Sequence, residues 1–244
     1  MTNALSAIAQ SMHNDIQQMD LISQNMVNMA TPGYKRSIAT GKSFSAAMSI
    51  SSTEETSAQH SRDIPSLSSL VDMANGPIKQ TGRQWDIAIT GEGFFELSSP
   101  EGPVYTRAGN FRLDGAGQLV SDNGFAVQGL NGNLVLNGAD AAIDRTGKIL
   151  QEGISIGQIK IVKFADSTKM TKSVAGMLRP TSAENTSSDV TADLQVGYLE
   201  SSNVSPLREM VSMMQTTRHF ETTQRLYQGY DDMLRTAIQK LGEF

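Results

Sequence analysis

Both ends of the chain carry a hydrophobic pattern with the period of an α-helix, whereas the middle of the chain does not. Between residues 3 and 30 there is no Gly or Pro, and apolar side chains recur at alternating steps of three and four residues, interrupted only by Asp15. This spacing predicts a helix with a heptad seam, the pattern through which helices pack against other helices. The seam consists of Leu5, Ile8, Met12, Met19, Ile22, Met26 and Met29.

The first helix is expected to end at Ala30, where the chain continues as Thr31-Pro32-Gly33. Proline disfavours the helical conformation in the residue that precedes it, and glycine accepts the backbone angles of a tight turn. This turn therefore closes the helix and redirects the chain.

A second helix is predicted from Ser205-Pro206 onward. Serine is a good N-cap, and proline suits the first helical position because the N–H it lacks would have no partner there. The apolar residues recur every seven positions at Met213, Phe220, Tyr227, Leu234 and Leu241, and the companion series of Met210, Thr217, Gln224, Asp231 and Ile238 is apolar only at its ends. A helix with such a broad apolar face is expected to pack against other helices.

The middle of the chain predicts short strands joined by tight turns, because most of the 21 glycines lie between Gly76 and Gly157 with short apolar runs between them. Residues 85–97 predict a β-hairpin around a glycine-rich turn, and residues 154–164 predict one alternating strand. Further turns are predicted at Asp114-Gly115, Asn123-Gly124 and Asn131-Gly132.

These patterns predict an α+β fold, with a mainly-β central domain flanked by N- and C-terminal helices that pair as a coiled-coil stem. Residues 1–35 form the N-terminal helix and its closing turn, and residues 36–74 form a linker rich in Ser and Thr. Residues 75–199 form the β-rich domain, and residues 200–244 carry the C-terminal helix.

Composition excludes several classes of protein. The net charge of −5 provides no basic surface for nucleic acid, and the absence of Cys excludes disulfides, thiolate metal sites and thiol nucleophiles. There is no apolar run long enough to cross a bilayer, so no membrane insertion is expected. The N-terminus has no basic start followed by an apolar block, so an exported chain would not use a cleaved signal peptide.

The candidate chemistry is weak. Glu92 and Glu96 flank Phe94-Phe95 and could act as an acid/base pair, but no nucleophile or metal ligand lies nearby in the sequence. Gly91-Glu92-Gly93 lacks the third glycine and the helix of a dinucleotide site, and the three histidines are far apart. We therefore predict no catalytic residue, no cofactor and no metal.

Four ordered segments of the chain resemble motifs of the flagellar rod and hook axial proteins, although Gln24 and Val27 stand where that family usually has Asn and Ala. The first is similar to I-S-x-N-x-A-N-x-x-T-P-G-Y-K, the second to D-x-A-I-x-G-x-G-F-F, the third to Y-T-R-x-G-x-F and the fourth to G-x-L-E-x-S-N-V. The residues that carry the resemblance include Asn25, Asn28, Thr31, Pro32, Gly33, Tyr34, Gly91, Gly93, Phe94, Phe95, Glu200, Ser202, Asn203 and Val204.

The resemblance implies a structural subunit of the flagellar basal-body rod, without enzymatic activity, that polymerises through its terminal helices into a tubular drive shaft. It implies a periplasmic location, delivery by the flagellar type III export apparatus, and partners that are copies of itself and other rod and hook proteins. The apolar seams of the two helices would form the polymerisation interface. The short chain and the turn of helix from Arg218 to Glu221 favour the proximal rod subunit, with the distal subunit as the alternative.

A different class of protein remains open on the residues alone. A secreted enzyme that acts on the cell wall, or a glycan-binding β module, could also carry helical ends. Such an enzyme should bring an acid pair or a metal triad together in a cleft.

Overall fold

The computed structural model describes residues 2–40, 68–136, 141–151, 153–164, 170–173, 176–181, 188–189 and 193–242. The chain divides into two compact units, the first comprising Met1–Val27, Ser37–Ser69 and Ser205–Phe244, and the second comprising Asn28–Arg36 and Leu70–Val204. The α-helices lie in the first unit and most strands in the second, which confirms an α+β fold with a mainly-β centre. Most of the predicted linker, residues 41–67, lies outside the described residues.

The first unit is built on helix α1 (Thr2–Val27) and helix α2 (Pro206–Gly242). The second helix begins at the predicted proline, and the first is followed by a 3-10 turn at Asn28–Ala30 before the predicted Pro-Gly turn. The two helices are antiparallel neighbours, because Asn25 contacts Glu209 while Asp15 contacts His219. That they supercoil as a coiled coil stays a prediction.

The face of α2 that packs inside this unit combines polar positions with the predicted apolar series, of which Met213, Phe220 and Leu234 are half-buried. Its buried positions are Glu209, Thr216 and Thr223, each four residues before a member of the predicted apolar series. The companion series three residues before is exposed, including Met210 and Ile238. Threonine can be buried here because its hydroxyl donates to a carbonyl one turn earlier, at 3.0 Å from Thr216 to Ser212 and 2.9 Å from Thr223 to His219.

The strands are short and lie mainly in the second unit. They are β1 (Ser37–Thr40), β2 (Ser68–Val71), β3 (Ile78–Gln80), β4 (Ile87–Thr90), β5 (Phe94–Ser99), β6 (Gly102–Thr106), β7 (Phe111–Leu113), β8 (Leu119–Ser121), β9 (Ala126–Gly129), β10 (Gly132–Asn133), β11 (Ala141–Ile143), β12 (Lys148–Gln151), β13 (Ile154–Gln158), β14 (Ile161–Lys163), β15 (Met170–Lys172), β16 (Leu178–Pro180), β17 (Ser188–Asp189), β18 (Asp193–Val196) and β19 (Tyr198–Glu200). Strands β1 and β2, at the two ends of the predicted linker, pair with each other.

The largest sheet has the order β15-β16-β6-β5-β9-β8-β7, with β10 beside β9 and β14 beside both β5 and β17. Smaller sheets are formed by β11-β12-β13, by β18 with β4, and by β19 with β3. Strand β5 is central to the core, where Phe95 and Leu97 are fully buried and the ring of Phe95 meets that of Phe111 edge-on at 5.1 Å. The predicted turns after β7, β8 and β9 are confirmed by antiparallel pairing of the strands they join.

The predicted hairpin at residues 85–97 is wrong. Strand β4 pairs with β18, whereas β5 pairs with β6, β9 and β14. Gly91 and Gly93 have φ angles of 98° and 131°, which turn the chain from one sheet into another. A side chain at Gly93 would approach the Ile161 side chain to 2.7 Å, so glycine also permits the close packing of this crossing on β14.

The single strand predicted at residues 154–164 is divided into β13 and β14, which belong to different sheets. The division falls at Ile159 and Lys160. There Ile159 bridges to Gly129, and the Lys160 N–H donates to the carbonyl of Gln128 at 2.9 Å.

Candidate functional site

The second unit is organised around the buried carboxylate of Glu200, at the end of β19. Its side chain is 2% exposed. Oε1 accepts hydrogen bonds from Lys35 Nζ at 2.8 Å and from the Gly76 N–H at 2.9 Å, while Oε2 lies 3.2 Å from Arg107 Nη1. One carboxylate thus binds two cations and one backbone amide, and we call Lys35, Arg107 and Glu200 the charge cluster.

Water has little access to the charge cluster, so its three charged groups must compensate one another for the hydration that each loses on burial. Burial lowers the pKa of Lys35 and of Arg107, and the nearby Glu200 carboxylate opposes that shift in both. Removing the carboxylate would leave two buried cations without their counter-ion, which is far more costly than breaking an exposed pair.

Arg107 ties the charge cluster to the crossing between β4 and β5. Its Nη1 donates to the carbonyl of Ile89 at 3.3 Å and its Nη2 to the carbonyl of Gly91 at 2.6 Å. The guanidinium group also lies 5.3 Å from the centre of the Phe94 ring, a cation–π distance. The second and third motifs therefore meet at this arginine.

The Pro-Gly turn of the first motif fits against the same place. The Gly33 N–H donates to the carbonyl of Glu200 at 2.8 Å. A Cβ atom at Gly33 would lie 2.1 Å from the backbone nitrogen of Ala108, so only glycine allows this approach. Lys35 completes the contact by donating to the carbonyl of Ala74 at 2.8 Å.

Asn203 of the fourth motif joins two further segments. Its Oδ1 accepts from the Arg36 N–H at 2.7 Å, and its Nδ2 donates to the carbonyls of Asp72 and Ala74 at 2.9 and 3.0 Å. Ser202 accepts from the N–H of Val204 at 3.2 Å through its hydroxyl oxygen. The polar residues of the motif thus serve as cross-links between backbone segments that are far apart in sequence.

Tyr34 of the first motif packs against a lysine of β15. The Lys172 ammonium lies 3.8 Å from the centre of the Tyr34 ring, and burial lowers the pKa of Lys172 to about 8. Lys172 Nζ has no hydrogen-bond partner within the described residues. The Lys172 ammonium is therefore stabilised by a cation–π contact with the face of the Tyr34 ring.

In the first unit, Asn25 of the first motif holds the strand β1. Its amide nitrogen donates to the carbonyl of Ser37 at 2.8 Å, and its Oδ1 accepts from the Ser37 N–H at 2.9 Å. The same amide lies 3.4 Å from Glu209 Oε2 on α2. This contact gives the fully buried Glu209 carboxylate a donor within the helix pair.

The motif residues named from the sequence are mostly buried, apart from the turn positions Thr31 and Gly91. Asn28 and Thr31 bond to each other at 3.3 Å. The buried members are Asn25, Gly33, Tyr34, Gly93, Phe94, Phe95, Glu200, Ser202 and Val204, whereas Asn28, Pro32 and Asn203 are half-buried.

The predicted seam residues are less uniform. Ile22 is buried, and Met29 and Tyr227 are exposed; Met29 lies beyond α1 in the second unit. Leu241 lies in the last turns of α2. The half-buried members are Leu5, Ile8, Met12, Met19, Met26, Met213, Phe220 and Leu234.

Sequence reasoning missed the buried charges. In the motifs, Lys35 is only the final K of the first and Arg107 only the R of the third. A usable signal was present in Glu200, a lone acid that directly follows the apolar pair Tyr198-Leu199.

The candidate acid/base pair does not converge. Glu96 pairs with Lys160 at 3.2 Å and Glu92 pairs with Lys163, so each carboxylate has its own lysine. Within the described ranges, no three His, Asp or Glu residues come together as a metal site. Neither described α-helix is both long and apolar enough to span a membrane.

Two family models match the chain. The model described as "Flagellar hook protein FlgE/F/G D1 domain" matches residues 88–178, and the one described as "Flagellar basal body rod FlgEFG protein C-terminal" matches residues 195–240. The first match covers strands of the second unit, and the second match covers β19 and most of α2.

Similar proteins extend the match to nearly the whole chain. The flagellar basal-body rod protein FlgG of Bacillus subtilis is 30% identical over 98% of this chain and 98% of its own length, and FlgG of Buchnera aphidicola subsp. Schizaphis graminum is 30% identical over 92% and 95%. The rod protein FlgF of Caulobacter vibrioides is 29% identical over 70% and 71%. These matches do not support a secreted enzyme or a glycan-binding module. The chain belongs to the flagellar rod and hook family and is a structural subunit of the basal-body rod.

Proposed function

We propose that this subunit polymerises through its terminal helices into the wall of a tube that transmits torque. The supporting observation is the length difference between the paired helices: α1 has 26 residues and α2 has 37. At about 1.5 Å per residue, α1 can cover only about 39 Å of the roughly 55 Å of α2. Leu226, Met233 and Ile238 are exposed in the second half of α2. Burial of these side chains against neighbouring helices would drive assembly.

The partners that fit this proposal are copies of the subunit and other rod and hook axial proteins. Family membership supports a location in the periplasmic rod and delivery by the flagellar type III apparatus. Contact with nucleic acid and insertion into a membrane form no part of this function. The proposed position is the proximal rod, with the distal rod as the alternative; the relatives named FlgF and FlgG are both described as basal-body rod proteins.

The charge cluster supports the mechanical side of the proposal. Glu200, Lys35, Arg107 and Asn203 connect the backbone of several distant segments within one unit. Buried, charge-assisted networks rigidify the segments that they join, because breaking them leaves uncompensated charge in the interior. A torque-bearing subunit requires this kind of internal stiffness.

The test is to place a carboxylate in the seam with Phe220→Asp or Leu234→Asp. A buried, unpaired carboxylate costs several kcal/mol unless it protonates or escapes to water. We expect loss of swimming in soft agar, while circular dichroism shows that the β-rich unit of the purified variants remains folded.

Asp231→Leu is the matched control, because Asp231 is exposed on α2 and pairs with the exposed Arg235 at 3.2 Å. This variant should swim. Normal motility of the Phe220→Asp and Leu234→Asp strains would show that the helices do not assemble through this seam.

A further inference from the structure

We propose that the outer face of the first turns of α2 binds the outer face of α1 in a second copy of the chain. This outer α2 face is defined by Leu207, Val211, Met214 and Arg218. The inference rests on the proposed function. It specifies which helix faces contact each other between subunits and which contact each other within one subunit.

The outer α2 face lies opposite the face that contacts α1 in the same chain. A helix turns by about 100° per residue, which places Leu207, Val211 and Met214 roughly half a turn away from Glu209 and Thr216. The latter two are buried, whereas Leu207, Val211 and Met214 are 73%, 48% and 53% exposed. The internal contact is thus already satisfied, and a separate apolar stripe remains on the other side.

Helix α1 carries a stripe of its own that is exposed in the part of the chain that the structure describes. Ile16 and Val27 are exposed on one side of α1, and the exposed Asp20 lies between them. The spacing of four and seven residues keeps these three side chains on one face, which we call the outer α1 face.

The charges of the two outer faces are complementary. Helix α1 contains no Lys or Arg, and its outer face presents Asp20. The outer α2 face continues from Met214 to the exposed Arg218. Neither Asp20 nor Arg218 forms an ion pair within the part of the chain that the structure describes. Opposite charges at matching places favour one partner and one register.

The spacing of the two stripes also agrees. Asp20 and Val27 are seven residues apart on α1, and Val211 and Arg218 are seven residues apart on α2. In an antiparallel approach, as within the chain, Val27 therefore meets Val211 when Asp20 meets Arg218. In a polymer, adjacent copies of the chain hold the outer α1 face and the outer α2 face close together. Each helix would then contact one helix of its own subunit and one helix of a neighbouring subunit.

Cysteine cross-linking tests the contact, because the natural chain has no Cys. Two differently tagged full-length versions, one with Val27→Cys and one with Val211→Cys, are expressed together in motile cells. We expect a short bismaleimide to yield a dimer that carries both tags in isolated rods. Replacing Val211→Cys with Gln224→Cys, an exposed α2 position on another face, should reduce the yield at least tenfold. Equal yields from both pairs, or no mixed dimer in intact rods, would overturn the inference.

Charge reversal supplies a second, independent test. Asp20→Arg and Arg218→Asp alone should each reduce the number of assembled rods per cell roughly tenfold, and the double variant should recover most of it. Failure of the double variant to recover, with each single variant folded and exported, contradicts the pairing. If these variants assemble normally while Phe220→Asp does not, the outer-face contact is wrong and the proposed polymerisation stands. If Phe220→Asp also assembles normally, the proposed function itself fails.

Discussion

The carboxylate of Asp15 lies 2.8 Å from ring nitrogen Nδ1 of His219, across the contact between α1 and α2. Asp15 is buried although its position belongs to the apolar seam of α1, whereas the His219 side chain remains largely exposed. The aspartate therefore does not interrupt the seam. It occupies the seam and fixes which residue of α2 lies opposite, as single polar residues in helix seams can do.

This pair predicts a coupled effect of mutation. His219→Ala should lower the stability of the helix pair by about 1–3 kcal/mol, because it removes the observed partner of a buried carboxylate. Adding Asp15→Leu should recover most of the loss, since leucine suits the seam. A double-mutant cycle followed by helical circular dichroism during urea unfolding measures the coupling. Additive losses from Asp15→Leu and His219→Ala would contradict it.

Removing the carboxylate of the charge cluster should strongly destabilise the second unit. Glu200→Ala should lower the free energy of unfolding by about 3–5 kcal/mol, because Lys35 and Arg107 would remain buried without their carboxylate. Urea unfolding followed by the fluorescence of the single tryptophan, Trp85, measures the change. Glu101→Ala is the control, since the Glu101 side chain is 67% exposed in its pair with Arg179 and its removal should change the free energy of unfolding little.

Gly33 and Gly82 form a matched pair for the effect of close packing. Both have positive φ angles, 65° and 72°, so alanine introduces similar backbone strain of about 1 kcal/mol at each. A Cβ atom at Gly82 meets nothing within 4 Å, whereas at Gly33 it would collide with the backbone of Ala108. Gly33→Ala should therefore destabilise the unit clearly more than Gly82→Ala. Equal melting temperatures would show that the turn does not pack as described.

Lys172 predicts a rise in stability with pH. Burial lowers its pKa from 10.5 to about 8, so between these values the folded chain has released a proton that the unfolded chain still binds. The free energy of unfolding therefore increases with pH across this window. Lys172→Met should remove this contribution, and the difference between wild type and variant, measured at pH 7, 8, 9 and 10, should diminish as pH rises.

The comparison with the variant isolates Lys172 from other groups. Burial raises the pKa of Tyr105, so this residue lowers stability above about pH 10, where the unfolded phenol ionises first. Lys35 and Arg107, whose pKa values are lowered, act in the same direction as Lys172 but are present in both proteins. A pH-independent difference between the two proteins would rule out the assigned shift.

Local signals in the sequence predicted the elements well. The heptad spacing predicted α1, Pro206 marked the start of α2, and the Asp-Gly and Asn-Gly pairs marked turns that the strand pairing confirms. The ordered motifs identified the family. These features depend on the backbone preferences of a few adjacent residues, and such preferences act in the same way before and after the chain folds.

The tertiary structure alone decided which elements meet. Strand β4 pairs with β18 about a hundred residues later, although the glycine-rich turn after it is typical of a hairpin. The fully buried positions of α2 are Glu209, Thr216 and Thr223, although none of these side chains is apolar. Likewise, Lys35, Arg107 and Glu200 meet from three distant segments. A polar residue can be buried only where a partner compensates its lost hydration, and the sequence pattern does not reveal that partner because folding, not proximity along the chain, supplies it.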